Sequence, residues 1–383
     1  MPLKFLIAPA AYKGSYSPIE LCFAIKSGIT EVLPEASCLL LPLADGGDGT
    51  VESLHHLVGG ELVEEEVIHP LFNNETASVR CHWLKLQSTR GDKEEATAII
   101  ELASASGIAH LDQERLSSMT AHTRGTGQVI RKVLDRGLKK MILTVGGSAS
   151  TDGGTGILYE LGARFFDSAG NELLPSGEML EHIASIDLDG LVTSGEGIDL
   201  QIVTDVTNPL CGLNGSARVY GPQKGADEDQ VLALDNGLSH YGDVLESKCG
   251  RSAARNLPGA GAAGGVPFGL VCALDARIES GFLWYKNITD METQIKACDI
   301  VIGAEGFLDS QSLQGKGTGE LARLCAEYQK PLWLVPARAD HEIDWLDYHV
   351  ERVKETCREG KVATLADVQR TVAGLVELIV ARN

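Results

Sequence analysis

Aromatic side chains are scarce in this chain, at 5% of 383 residues, although 44% of the residues are hydrophobic. The core must therefore be built mainly from aliphatic side chains. No apolar run approaches the roughly 20 residues that a membrane-spanning helix needs, and the N-terminal apolar run is too short for a signal peptide. We therefore expect a soluble protein without a membrane partner.

Paired cysteines and an excess of positive charge are also missing. The nine cysteines are scattered and show no Cys-x-x-Cys spacing. This argues against a disulfide framework or a zinc ribbon and predicts a cytoplasmic location. With 33 basic against 53 acidic residues, the formal charge is -20. A surface this acidic repels a phosphate backbone, so we expect no nucleic-acid partner.

Several common catalytic motifs are absent. The chain has no G-x-x-x-x-G-K-[ST] P-loop, because Ser310 stands where the first glycine before Lys316 should be. No G-x-G-x-x-G fingerprint follows a strand and opens a helix, and no G-x-S-x-G nucleophile elbow occurs. The histidines show no metal-ligand spacing. A standard nucleotide-binding loop and a serine hydrolase site are therefore not predicted.

Glycine is abundant instead, with 43 residues that cluster in short loops after apolar segments. The apolar runs predict strands at 4–8, 37–43, 98–102, 141–145, 200–204, 299–303 and 332–336. Helical patterns follow most of them, at 19–32, 50–58, 126–136, 227–240, 313–328 and 365–381. Ser17 and Pro18 predict a cap and the first helical position of the first of these helices. The runs 39–41 and 300–302 are apolar throughout, which predicts strands covered on both faces. This alternation predicts an α/β fold with largely parallel sheets, whose ligands bind beyond the carboxyl ends of the strands.

Residues 63–100 show a different pattern, in which polar and apolar positions alternate. Such alternation predicts antiparallel strands. We interpret this stretch as the entry to a second domain.

Two loops share the pattern Asp-Gly-Gly-x-Gly, one beginning at Asp45 and the other at Asp152. Glycines such as Gly46, Gly47 and Gly147 let a backbone approach a ligand, and the amides of a following helix favour an anion. The aspartates could hold Mg²⁺ or accept a hydroxyl proton. The alternative is that each aspartate only caps a helix and each glycine only makes a turn.

Three Lys-Gly pairs begin at Lys13, Lys224 and Lys316, and all lie in polar loops that contain glycine. A lysine in such a loop suits a phosphate, although a solvated surface lysine is the simpler explanation for any one of them. Carboxylates and amides follow two other predicted strands, and oxygen ligands at strand ends suit Mg²⁺. These residues are Asp205, Asn208, Glu305 and Asp309.

Eight ordered motifs resemble those of the bacterial glycerate kinases that lack a P-loop. They are IAPAAYKGSYS, PLADGGDGTVE, TRGTGQVI, VGGSASTDGGTG, DVTNPLCG, YGPQKGAD, PGAGAAGG and EGFLDSQSLQGK. The resemblance implies ATP-dependent phosphorylation of D-glycerate with Mg²⁺, with 2-phosphoglycerate favoured over 3-phosphoglycerate. It also implies a flavodoxin/Rossmann-like α/β domain (1–62 and 292–383) with a mixed α/β domain inserted into it (63–291), and an active site in the cleft between them.

On these motifs and the chemistry of their residues, we assign candidate roles as a hypothesis. Catalytic roles fall to Lys13, Asp45, Asp152, Asp205 and Lys316, and the expected Mg²⁺ ligands are Asp205 and Asp152. Substrate or ATP binding falls to Ser15, Gly46, Gly47, Gly147, Ser148, Asn208, Lys224, Gly261, Glu305 and Asp309. The expected partners are ATP and a small hydroxy acid, and a homodimer is one expected assembly.

The chain departs from the family pattern at three places. Ala10 replaces an acidic residue, Phe307 replaces an arginine, and the late strand ends in VPARAD where the family has small, glycine-rich residues. Arg338 lies in that segment and could replace the lost guanidinium. Two alternatives follow: a kinase of a different small hydroxy acid, or a catalytically impaired homologue that binds a nucleotide or metabolite.

Overall fold

The computed structural model describes residues 2–12, 14–44, 46–47, 49–71, 77–87, 96–112, 114, 116–192, 198–310, 312, 317–357 and 362–381. Three predicted site residues lie outside these ranges, namely Lys13, Asp45 and Lys316. Within the described ranges, no helix is both long enough and apolar enough to cross a membrane.

Strands and helices alternate along much of the chain. The strands are β1 (Lys4–Ile7), β2 (Ser37–Leu40), β3 (Glu61–Ile68), β4 (Ser78–Leu86), β5 (Thr97–Glu101), β6 (Lys140–Thr144), β7 (Arg164–Phe166), β8 (Glu172–Leu173), β9 (Ser185–Asp187), β10 (Asp199–Val203), β11 (Arg277–Glu279), β12 (Ile300–Gly303), β13 (Phe307–Leu308), β14 (Leu332–Leu334), β15 (Arg338–Ala339) and β16 (Val350–Val353). The helices are α1 (Pro18–Val32), α2 (Thr50–Val58), α3 (Leu102–Ser106), α4 (Arg124–Asp135), α5 (Thr155–Glu160), α6 (Ser216–Tyr220), α7 (Glu228–Cys249), α8 (Val266–Leu274), α9 (Gly281–Ile288), α10 (Met291–Ala297), α11 (Gly317–Glu327) and α12 (Leu365–Val380).

The chain divides into two compact units. Unit 1 consists of Met1–Asp45, Glu52–Val58 and Phe282–Asn383, and unit 2 consists of Gly46–Val51 and Gly59–Gly281.

Unit 1 contains a parallel sheet with the strand order β16-β14-β12-β1-β2. Ile300, Val301 and Ile302 of β12 are all buried, as the apolar run predicted. The prediction for residues 39–41 is wrong in part, because Leu39 is 48% exposed. The reason is position: β2 is an edge strand of this sheet, so its side chains are covered less completely.

Helix α1 begins where the sequence predicts. Ser17 is its N-cap, and Ser17 and Glu20 form a reciprocal capping box that satisfies two backbone amides. Its apolar face packs against α12 in the core of unit 1. A Cβ at Gly28 would collide with the carbonyl oxygen of Gln369, so glycine is what lets the two helices approach this closely.

Unit 2 contains a mixed sheet with the strand order β11-β10-β6-β5-β4-β3. The four strands from β11 to β5 are parallel, whereas β3 and β4 are antiparallel to their neighbours. The antiparallel strands predicted within 63–100 are thereby confirmed, as is the α/β fold class with parallel sheets. A small antiparallel sheet, β8-β7-β9, completes the unit.

The core of unit 2 is mainly aliphatic. On α4, the spacing of Val129, Ile130 and Val133 places all three on the buried face of the helix. Each fully buried side chain of this kind contributes about 1.5–3 kcal/mol. Helix α8 was not predicted, because almost all of its side chains are buried and an amphipathic period is therefore missing.

Candidate active site

The carboxyl ends of neighbouring parallel strands in unit 2 lie at one level. The strand register pairs Glu101 of β5 with Thr144 of β6, and Thr144 with Val203 of β10. The loops that follow these strands therefore emerge at the same edge of the sheet. In open α/β sheets this edge is where ligands bind.

At this edge, the loop that begins at Asp45 contacts the glycine segment that follows β6 and precedes Asp152. The amide of Gly146 donates a hydrogen bond to the carbonyl oxygen of Gly46 at 3.0 Å. A Cβ at Gly146 would lie 2.6 Å from the Cα of Gly47, so this contact requires a bare backbone. Gly147 has a φ of +71°, a conformation that glycine adopts readily. The predicted residues Gly46, Gly47 and Gly147 thus lie together.

Lys224 and Ser148 are also brought together. The Nζ of Lys224 donates to the Oγ of Ser148 at 2.8 Å and to the carbonyl oxygen of Ser150 at 2.5 Å. Lys224 is buried, and loss of hydration lowers its pKa to about 7, although the negative charge of Asp152 acts in the opposite direction. A buried amine therefore supports the loop between β6 and α5.

Asp152 is fully enclosed by hydrogen-bond donors. Its carboxylate accepts from the amide and hydroxyl of Thr123, both at 2.8 Å, and from the amides of Gly154 and Gly156, both at 3.2 Å. Burial raises its pKa, and these donors oppose the rise. The carboxylate ties the beginning of α4 to the beginning of α5. This geometry supports a positioning role for Asp152 over its predicted roles in metal binding or proton transfer.

Asp205 lies just beyond β10 and is only half-buried. The hydroxyl of Ser280 donates to its Oδ1 at 2.9 Å. Mg²⁺ often takes one or two carboxylates and completes its shell with water and phosphate oxygens. Asp205 fits that requirement, whereas the described residues contain no group of three or more metal-ligating side chains.

Asn208 and Gly261 are a second pair of predicted residues that the fold brings together. The amide of Gly261 donates to the carbonyl oxygen of Asn208 at 2.9 Å. The side chain of Asn208 accepts from the hydroxyl of Tyr220 at 2.7 Å and donates to the carbonyl of Asn214 at 2.8 Å. A Cβ at Gly261 would collide with the carbonyl of Pro209, so tight packing alone explains this glycine.

Unit 1 holds the other predicted residues that the structure describes. Ser15 is exposed in a turn that its amide closes on the carbonyl of Tyr12 at 2.8 Å. Glu305 follows β12, and its carbonyl accepts from the amide of Ala337 at 3.0 Å. The carboxylate of Asp309 accepts from the amide of Ser312 at 3.0 Å, which closes the turn after β13.

The altered positions of unit 1 lie at strand ends and in a short parallel ladder. The amide of Ala10 donates to the carbonyl of Ala304 at 2.8 Å, which joins the segments after β1 and β12. Phe307 is directly paired with Arg338 in the register of β13 and β15. Phe307 is 53% exposed and Arg338 is exposed as well. Arg338 therefore lies on the neighbouring strand, directly beside position 307, where the family has an arginine.

Sequence reasoning missed residues that support the predicted loops. Glu101 accepts hydrogen bonds from the loop that begins at Asp45, Ser280 contacts Asp205, and Tyr220 holds Asn208. An acidic residue directly after an apolar strand was the signal for Asp205. The same signal, in the segment AIIELAS, could have identified Glu101.

Comparisons with known proteins agree with this picture. A model of the glycerate kinase family matches residues 5–378. The glycerate kinase of Bacillus subtilis (strain 168) and the glycerate 2-kinase of Escherichia coli (strain K12) are each 38% identical over 330 residues, or 86% of this chain and 84% of each relative. A solved structure from Salmonella typhimurium LT2, provisionally assigned as glycerate kinase 2, has a TM-score of 0.81 at 32% identity and covers 99% of both chains. These matches confirm the resemblance that the sequence motifs indicated.

Proposed function

Because the chain belongs to the glycerate kinase family, we propose that it transfers the γ-phosphoryl group of ATP to D-glycerate. In this reaction the bond between the γ-phosphorus and the bridging oxygen to the β-phosphate breaks. A bond from the γ-phosphorus to the substrate hydroxyl oxygen forms, and the hydroxyl proton passes to a base. The product proposed is 2-phosphoglycerate, because a relative of 38% identity is named glycerate 2-kinase.

The proposal rests on the contact in unit 2 between two glycine-rich segments, at Gly46 and Gly146. Phosphoryl transfer depends mainly on positioning and on neutralising charge, and backbone amides in glycine loops serve both purposes. The amides of Gly147 and Ser148 lie at the carboxyl edge of the sheet, and buried Lys224 fixes this segment through Ser148 and Ser150. We assign these amides to phosphate oxygens.

Charged residues of the predicted site take the remaining roles. Lys13 and Lys316 would contact phosphates or the substrate carboxylate, since a lysine is a compact point charge. Asp205 would hold Mg²⁺, with Asp45 as the base for the substrate hydroxyl. When bound, Mg²⁺ would neutralise phosphate charge. Asp152 and Lys224 would act from within unit 2 by fixing the loops.

The remaining assignments concern contacts and location. Ser15, Asn208, Glu305 and Asp309 stay candidates for binding ATP or the substrate, and Gly261 stays a candidate for backbone contact. A cytoplasmic location is proposed because all nine cysteines are free thiols. A homodimer stays a prediction.

Product analysis tests the reaction. Purified protein with ATP, Mg²⁺ and D-glycerate should release ADP, and phosphorus NMR of the product should show 2-phosphoglycerate. A signal from 3-phosphoglycerate would contradict the position of transfer, and no ADP release would contradict the activity.

In the same assay, Lys13→Ala and Asp205→Asn should each lower kcat by roughly 100-fold or more. Near-normal rates in both would overturn the assignment of these two residues.

A second candidate is a kinase of another small hydroxy acid. The exposed Phe307 favours it, because an aromatic ring stands where a charged group would contact a carboxylate or phosphate. A panel of hydroxy acids, compared by kcat/KM, separates the two candidates. A substrate that exceeds D-glycerate by about tenfold or more would favour the second.

A further inference from the structure

Glu101 is a buried carboxylate at the end of β5 that no predicted role uses. Only 5% of the surface of this residue is exposed. A carboxylate this buried requires hydrogen-bond donors, because an unpaired charge away from water is costly. Two of its donors come from a segment of unit 2 about 50 residues earlier in the chain.

Two of the donors are backbone amides at the beginning of α2. The amide of Gly49 donates to Oε1 of Glu101 at 3.1 Å, and the amide of Val51 donates to Oε2 at 3.0 Å. Each carboxylate oxygen therefore accepts from a different residue. Both amides lie where a helix begins, so the negative charge is also favoured by the helix dipole.

The same short segment is fixed at a second point. The carbonyl of Gly46 accepts from the amide of Gly146, which follows β6. Between the two points, the hydroxyl of Thr50 donates to the carbonyl of Gly47 at 2.7 Å and closes the turn. Residues at the ends of two adjacent strands, β5 and β6, thus hold Gly46, Gly49 and Val51. Glu101 does so through its side chain, whereas Gly146 does so through its backbone amide.

We propose that Glu101 is a positioning residue for phosphoryl transfer. Its carboxylate holds Gly49 and Val51 against the carboxyl edge of the sheet in unit 2, and this fixes the backbone amides of the glycine loop. The proposal rests on the proposed function, because it gives the loop a catalytic purpose. The hydrogen bonds themselves are independent of that function.

Two substitutions separate positioning from general stability. Glu101→Gln keeps the size of the side chain but turns one acceptor into a donor that faces a backbone amide. Glu101→Asp keeps the charge but is one methylene shorter. Glu246→Gln is the matched control, since Glu246 is 9% exposed and accepts from the amide and the Nε of Arg255 at 3.1 and 3.0 Å. Glu246 lies in α7 and has no part in the loop.

Steady-state kinetics provides the first readout. Glu101→Gln should lower kcat by roughly 10- to 100-fold with little change in the KM for ATP, and Glu101→Asp should fall between Glu101→Gln and the wild type. Glu246→Gln should lower Tm about as much as Glu101→Gln does, but it should keep the kcat of the wild type. A kcat of Glu101→Gln within about twofold of the wild type, or an equal loss of kcat in Glu246→Gln, would overturn the proposal.

Hydrogen exchange of the amides of Gly49 and Val51 provides the second readout. Both should be protected in the wild type and should exchange faster in Glu101→Gln, while the amide of Arg255 is unchanged. Unchanged protection of Gly49 and Val51 would refute the positioning contact, whatever the kinetics. If the wild type fails to phosphorylate D-glycerate, the proposed function fails, and this exchange experiment still decides whether Glu101 holds the loop.

Discussion

The buried amine of Lys224 makes stability depend on pH in a way that can be calculated. Its pKa falls from 10.5 to about 7 in the folded protein. Below pH 7 the amine is charged in both the folded and unfolded states, and the cost of burying the charge is fully present. Between pH 7 and 10.5 the unfolded chain binds more protons than the folded one, so the free energy of unfolding rises with pH.

The size of the effect follows from the same shift. Integrating the proton binding between pH 7 and 9 gives a rise of about 2 kcal/mol in the free energy of unfolding. Lys224→Met removes the titrating group, and Lys224→Arg keeps a positive charge at every pH in this range. Both variants should lose this part of the pH dependence.

Urea unfolding at pH 7, 8 and 9 measures the difference. The free energy of unfolding of the wild type minus that of Lys224→Met should increase by about 2 kcal/mol from pH 7 to 9, since groups that do not interact with Lys224 titrate alike in both proteins and cancel in the difference. The same increase is expected against Lys224→Arg. Parallel pH profiles for the wild type and both variants would show that the amine keeps its ordinary pKa, and would refute the reasoning.

Two further predictions concern Arg338 and Asp152. If Arg338 supplies the guanidinium lost at Phe307, Arg338→Ala should raise the KM for D-glycerate about tenfold and change kcat little, while Arg338→Lys should recover only part of the affinity; an unchanged KM in steady-state assays would contradict this. Asp152→Asn should lower the free energy of unfolding by about 3 kcal/mol, because its amide group cannot accept from all four donors; a loss below about 1 kcal/mol in urea unfolding would contradict the positioning role.

Strands and capped helices were predictable because their signals are local. Ser17 and Pro18, two adjacent residues, were enough to predict the beginning of α1. The apolar run 300–302 predicted a buried strand. The partial failure at Leu39 has a nonlocal cause, because no pattern within a strand tells whether it lies at the edge of its sheet.

In the candidate site, too, local features could be predicted from the sequence and contacts between distant residues could not. Residue types and strand ends pointed to Asp205, Lys224 and Ser148, but not to the hydrogen bond between the last two. The sequence could not distinguish the half-buried Asp205 from the enclosed Asp152, because enclosure depends on Thr123, which is 29 residues away in the chain. Pairwise contacts of this kind are visible only once the fold is known.

The contact between Gly46 and Gly146 also has a consequence for engineering new substrate preferences, because it limits which positions can be mutated. Any side chain placed at Gly146 would strike the backbone of Gly47. A randomised library at this contact would therefore consist mostly of misfolded variants. Phe307 and Arg338 project from adjacent strands and are exposed, so we expect their replacement to leave the fold intact. Mutagenesis aimed at these two positions would sample specificity while the backbone of the glycine loops stays intact.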